Sequence, residues 1–163
     1  MYYDDIATER NLFMSPDIYR KLIKPHHAAI CRACVEEGII PIQHTCGKAD
    51  ELIEDFIEVG AKAWHNVQIT NDITGMLEKY GDRFCFIGGY DTMGEPSLPH
   101  ATEELRRAYV RKAMEAYGAY QGYIFSGAIL TNSYDAALIF QNMACITDEA
   151  IRWRDAHAEG KYR

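Results

Sequence analysis

The chain lacks an excess of basic residues. Seventeen Lys and Arg face 24 Asp and Glu, for a formal net charge of −7. That balance gives a nucleic-acid role no electrostatic support. No apolar run approaches the roughly 20 residues of a membrane span, so no membrane partner is expected. The opening residues Met1-Tyr2-Tyr3-Asp4-Asp5 lack the basic and apolar parts of a secretory leader. Without a leader, an odd set of five cysteines points to reduced thiols and a cytoplasmic location. No Gly-x-Gly-x-x-Gly follows an apolar run, and Gly88-Gly89 is too short to cradle a phosphate. No low-complexity segment or linker divides the chain, so residues 1–163 are expected to form a single domain.

What is present is an alternation of strand and helix signals. Tyr2-Tyr3-Asp4 is a first short strand. Ser15-Pro16-Asp17 combines an N-cap, a first-turn proline and a dipole-matched acid, and so predicts a helix to about Glu37, closed by Gly38. Ile18, Leu22, Ile23, His26, Ile30, Ala33 and Cys34 approximate its inner face, and Pro25 predicts a kink or break. A strand from Gly38 to His44 follows, then a helix over about Ala49–Val59 whose acids Glu51, Glu54, Asp55 and Glu58 read as a solvated face. Further strands are expected at 61–67, 83–88 and 122–126, with helices at about 72–80, 102–117 and 134–158. Strands separated by helices imply an α/β fold with a parallel sheet. Polar residues after several strands favour a barrel, or part of one.

The run Gly38–Gln43 ends in His44-Thr45-Cys46-Gly47. Residues two apart along a strand share a face, so an imidazole and a thiol project together at a strand's C-terminal end, a pair suited to zinc. The alternative is a buried His and Cys with no metal. Asp4 and Asp5 close the first strand, one facing in and one out. A carboxylate there either orients a substrate or ligand, or caps backbone amides. Asp91 poses the same choice after Gly88-Gly89. His65 and Asn66, with Gln68 beyond, are candidate substrate contacts, and neighbouring Trp64 faces the helices. Ser126, Asn132 and Ser133 are polar loop candidates. Cys31 and Cys34 lie three apart within a helix and read as core.

In order, Tyr3-Asp4-Asp5, Ser15-Pro16, Ile23-Lys24-Pro25, His44-Thr45-Cys46-Gly47, Glu58-Val59-Gly60-Ala61, Tyr80-Gly81-Asp82-Arg83 and Gly88-Gly89-Tyr90-Asp91 resemble the uroporphyrinogen decarboxylase superfamily. His-x-Cys places the closest resemblance with the branch of cobalamin-dependent methyltransferases. The resemblance implies a partial TIM (β/α)8-type barrel comprising about the last five β/α units. It also implies zinc bound by His44 and Cys46, with a methyl group passing between a corrinoid carried by a partner protein and a thiol or similar small-molecule acceptor. The family's third ligand, a cysteine, is expected in Phe125–Ala128, where Ala128 stands. Cys85, Asp5, Asp91 and His65 are the available substitutes. On this reading, their places after strands put Asp5 and Asp91 at the barrel mouth as the candidate catalytic residues, with His65, Asn66 and Ser126 as candidate substrate contacts.

Two other readings stay open: a decarboxylase-like protein of tetrapyrrole (haem) biosynthesis, and a non-catalytic half-barrel interaction subunit. The expected partner is an N-terminal half-barrel or a second copy, paired through the first strand near Tyr3 or the last near Ile124. The chain alone is then expected to be inactive.

Overall fold

The computed structural model describes residues 1–129 and 135–157. Among the described residues there are five strands: β1 (Tyr2–Tyr3), β2 (Ile42–His44), β3 (Ala63–Val67), β4 (Cys85–Gly89) and β5 (Tyr123–Ser126). Six α-helices accompany them: α1 (Pro16–Leu22), α2 (Lys24–Glu36), α3 (Ile53–Glu58), α4 (Ile73–Tyr80), α5 (Glu103–Tyr117) and α6 (Ala136–His157). The strands form one sheet in the order β1-β2-β3-β4-β5, with β1 and β5 at its edges. The pairs β1–β2, β2–β3 and β3–β4 are parallel. This is an open α/β sheet of the kind a partial (β/α)8 barrel contains. Among the described residues no helix is long and apolar enough to cross a membrane. Asn132, Ser133 and both expected ends of the last helix (134 and 158) lie outside the described residues.

The chain divides into two compact units. One comprises Met1–Gly88 and Tyr120–Ile124, the other Gly89–Ala119 and Phe125–Arg163. The first is built around Trp64, Phe56, Tyr19, Leu52 and Phe86, all fully buried. Phe56 meets the edges of both Tyr19 and Trp64, an arrangement that adds to the area the three rings bury. In the second unit α5 packs on α6. Arg107 ties the two helices by bonds to Asp148 at 2.6 Å and Glu149 at 3.1 Å.

Local capping chemistry sets the boundaries as expected. Ser15, Asp72 and Thr102 each accept the N–H three residues on and start α1, α4 and α5.

The break expected near Pro25 is present: the segment is two helices separated at Ile23, because Pro25 cannot donate within a continuous helix and instead occupies the first turn of α2. Three other expectations are corrected, beginning with the inner face of this helical segment. Its buried face is one residue out of phase with the aliphatic pattern: Tyr19, His27 and Cys31 are buried, whereas Ile18, Leu22 and Ile30 are exposed. Tyr19 and His27 bury as a hydrogen-bonded pair, with Tyr19 Oη 3.0 Å from His27 Nδ1, and His27 Nε2 lies 3.0 Å from Asp4 Oδ2. The second strand starts at Ile42 rather than Gly38, since Pro41 has no N–H for the ladder; Ile39 and Ile40 remain exposed. Asp55 is buried rather than solvated, and Arg20 Nη2 at 3.0 Å and Lys24 Nζ at 2.7 Å neutralise it. The sheet edges retain exposed side chains at Tyr3 and Ile124.

Candidate metal centre

The centre lies within the first unit, where β1, β2 and β3 run side by side. The parallel register sets Tyr3 beside His44 and His44 beside His65. The three rings therefore follow one another across the strands, at centroid separations of 4.6 Å and 4.9 Å. Cross-strand neighbours on one face restrict each other's rotamers, so the His44 ring is held from both sides.

The His44-Thr45-Cys46-Gly47 segment leaves β2 under dense backbone restraint. Thr45 N–H donates to the His65 carbonyl at 2.8 Å. Thr45 Oγ1 accepts the Ile6 N–H at 3.0 Å, and the Thr45 carbonyl accepts Trp64 Nε1–H at 2.9 Å. Gly47 N–H donates to Gln68 Oε1 at 2.7 Å, and its carbonyl accepts Asn71 Nδ2–H at 2.9 Å. Gly47 itself has φ +86°, and a Cβ there would press into the Thr8 carbonyl. Glycine alone meets both demands.

Asp4 and Asp5 diverge as alternation predicts. Asp4 turns to His27 and accepts Tyr2 Oη–H at 3.1 Å. Asp5 turns to the loop, where its Oδ1 accepts the Cys46 N–H at 2.8 Å. His44 Nε2 lies 3.7 Å from Cys46 Sγ and 3.8 Å from Asp5 Oδ1. Asp5, His44 and Cys46 offer ligand atoms all within 4.8 Å of one another, the one such group of three among the described residues. Tetrahedral zinc with bonds of about 2.0–2.3 Å separates its donors by roughly 3.3–3.7 Å. The two separations from His44 Nε2, 3.7 Å to sulfur and 3.8 Å to the carboxylate oxygen, lie close to that demand.

Burial dominates the electrostatics of these donors. Burial lowers the His44 pKa against the opposing pull of Asp5. Burial, then the neighbouring His44, lowers that of His65. Burial raises the Cys46 thiol, Asp5 reinforces the rise, and a hydrogen bond with the Asn66 side chain opposes it. Neutral imidazoles keep a lone pair available to a metal, and a bound cation favours the thiolate.

The structure thus brings Asp5, His44, Cys46, His65 and Asn66 together. Gln68, a candidate substrate contact, is buried and holds Gly47. Thr45, which the sequence reading passed over, is the buried hub that joins the end of β1 to the loop; its only local signal is its place between His44 and Cys46. Cys85, a candidate ligand in β4 of the first unit, is half-buried and is not grouped with His44 and Cys46. Asp91 and Ser126 belong to the second unit. Asp91 Oδ1 accepts the N–H of Met93 at 3.1 Å and of Gly94 at 2.6 Å, the pattern of an Asx turn. Ser126 ends β5 and is half-buried, as is Ala128 beyond it. Cys31 and Cys145 are buried, as core cysteines are.

The sequence profile described as Uroporphyrinogen decarboxylase (URO-D) matches residues 3–129, the greater part of the chain. The chain belongs to the URO-D family. Among solved structures it is similar to a methyltransferase from Methanosarcina mazei, with a TM-score of 0.63 at 18% sequence identity. That likeness covers 93% of this chain and 41% of the methyltransferase, so this URO-D chain spans about two fifths of the protein it matches. At that identity the likeness establishes the shared fold. No curated protein matches the chain.

Proposed function

We propose that this URO-D chain carries the zinc-binding part of a methyltransferase that moves a methyl group between a corrinoid protein and a thiol or similar acceptor. His44, Cys46 and Asp5 are its metal ligands. The observation that carries the reading is the approach of His44 Nε2 to Cys46 Sγ and Asp5 Oδ1, at 3.7 Å and 3.8 Å. Asp5 takes the place of the cysteine expected where Ala128 stands. Three protein donors leave a fourth position open to substrate, as catalytic zinc requires. The likeness in fold to a Methanosarcina methyltransferase is in keeping with this reading.

Bound there, zinc supplies the Lewis acidity that keeps a substrate thiol in its nucleophilic thiolate form at neutral pH. The chain's own residues prepare the position. His44 presents Nε2, and Cys46 gives up its thiol proton on ligation. Asp5 brings a carboxylate held in place by the Cys46 N–H. Asn66, bonded to the Cys46 thiol, orients the sulfur. The rest of the barrel, the corrinoid protein and the acceptor come from outside these 163 residues. Further strands, from a longer chain or from a partner, pair at the β1 or β5 edge, and the cytoplasm, with its reduced thiols, is the compartment that suits the chemistry.

Metal analysis of the purified chain tests the proposal. About one zinc per chain is expected, lost on His44→Ala or Cys46→Ala and weakened on Asp5→Ala. A native chain that takes up no zinc overturns it and favours a metal-free, decarboxylase-like protein.

A further inference from the structure

His44 Nδ1 lies 2.7 Å from Nδ1 of His65. Two imidazole nitrogens at that distance share one proton: one ring donates and the other accepts. The direction decides whether the opposite nitrogen of His44, Nε2, carries a hydrogen or a lone pair. We propose that His65 is a positioning residue that accepts the His44 Nδ1–H, fixing His44 in the tautomer whose Nε2 lone pair faces Cys46 and Asp5.

The surroundings of Nε2 support this direction. A proton on Nε2 would need an acceptor, and Asp5 Oδ1, at 3.8 Å, is beyond hydrogen-bond reach. That oxygen is already engaged by the Cys46 N–H at 2.8 Å. Cys46 Sγ, at 3.7 Å, is a weak acceptor, but its S–H can donate into an Nε2 lone pair. With the proton on Nδ1, His44 donates to His65 and its Nε2 lone pair faces the Cys46 thiol. With the proton on Nε2, the neighbouring protein acceptors are a weakly accepting sulfur and an oxygen out of reach.

The geometry is also fixed. His44 and His65 are ladder partners on β2 and β3. The Thr45 N–H bond to the His65 carbonyl clamps the backbones together one residue on. Tilted ring contacts with Tyr3 on one side and His65 on the other confine the imidazole between them. Metal-bound histidines characteristically donate their second N–H to a fixed acceptor, and losing that acceptor weakens the metal 10–100-fold. Here a second imidazole fills the role more often taken by a carboxylate or a carbonyl. This inference rests on the zinc reading for its consequence, but the tautomer itself belongs to the metal-free chain.

The test uses the full chain and has two arms. In the metal-free protein, long-range 1H–15N correlation spectra assign each imidazole's tautomer. His44 protonated on Nδ1 and His65 on Nε2 is the expected result, and the reverse assignment overturns the proposal. In the second arm, zinc affinity is measured by competition with a chelator for the native chain, His65→Leu and His65→Asn. Leucine fills similar space without an acceptor. Asparagine sets a carboxamide oxygen near the position of Nδ1. His65→Leu is expected to weaken zinc about 10–100-fold and His65→Asn only a few-fold. Equal affinity for native and His65→Leu chains, or equal losses in both variants, overturns the proposal. If the native chain binds no zinc, the methyltransferase reading fails, and the spectra still decide the tautomer.

Discussion

Thr45→Val isolates the bond that holds the end of β1 to the metal-ligand loop. Thr45 is fully buried and Ile6 nearly so. The hydroxyl accepts the Ile6 N–H at 3.0 Å and donates to the Cys46 carbonyl at 3.2 Å. Valine preserves the branched shape, so no cavity opens and the effect is polar. The Cys46 carbonyl belongs to a half-buried residue and can turn to water. The N–H of the buried Ile6 is left unpaired, at a cost of about 1–3 kcal/mol. For a chain of this length about 2 kcal/mol lowers Tm by roughly 4–8 °C. Asp5 immediately precedes Ile6, so zinc affinity falls along with stability. Urea titration and thermal melting of the native and variant chains measure the first effect, and chelator competition the second. A change below about 0.5 kcal/mol, the range of an ordinary surface substitution, refutes the reasoning that this bond is a buried restraint.

Gly47→Ala meets both a positive φ and the Thr8 carbonyl; a loss of at least about 2 kcal/mol is expected in urea titration, with weakened zinc binding. Asp55 gives a pH signature. Burial raises its carboxyl, but the bonds from Arg20 and Lys24 more than reverse this and leave it below the ordinary carboxylate range. A lowered folded-state value adds stability above the unfolded value near 4, and this is lost as pH falls through the folded value. Asp55→Asn should therefore cost about 1–3 kcal/mol at pH 7 and progressively less below pH 4, read from urea midpoints at both pH values. An unchanged gap at low pH would count against the ion cluster.

Much of this was legible locally. Ser15, Asp72 and Thr102 cap where short-range chemistry says they should, because an N-cap needs only the N–H groups of the next turn. The pairing of His44 with Cys46 was readable from two-residue spacing, and the divergence of Asp4 from Asp5 from strand alternation. The phase of α1 and α2 was not. Aliphatic periodicity points to Ile18, Leu22 and Ile30, but the Tyr19–His27–Asp4 network satisfies its polar atoms internally and buries instead. Likewise Asp55 looks like one more acid on a solvated face until Arg20 and Lys24 arrive from the preceding helices.

By itself the sequence determined the alternation of strands and helices, the family, and a histidine and a cysteine projecting together from one strand end; each depends on neighbours a few residues apart or on a linear motif. The tertiary structure alone decided that Asp5 stands beside that pair, and that His65 backs His44. Those contacts join β1, β2 and β3 across about 20 to 40 residues of chain, and only the parallel register of the folded sheet, with its 4.7–4.9 Å strand spacing, brings such distant residues to one point.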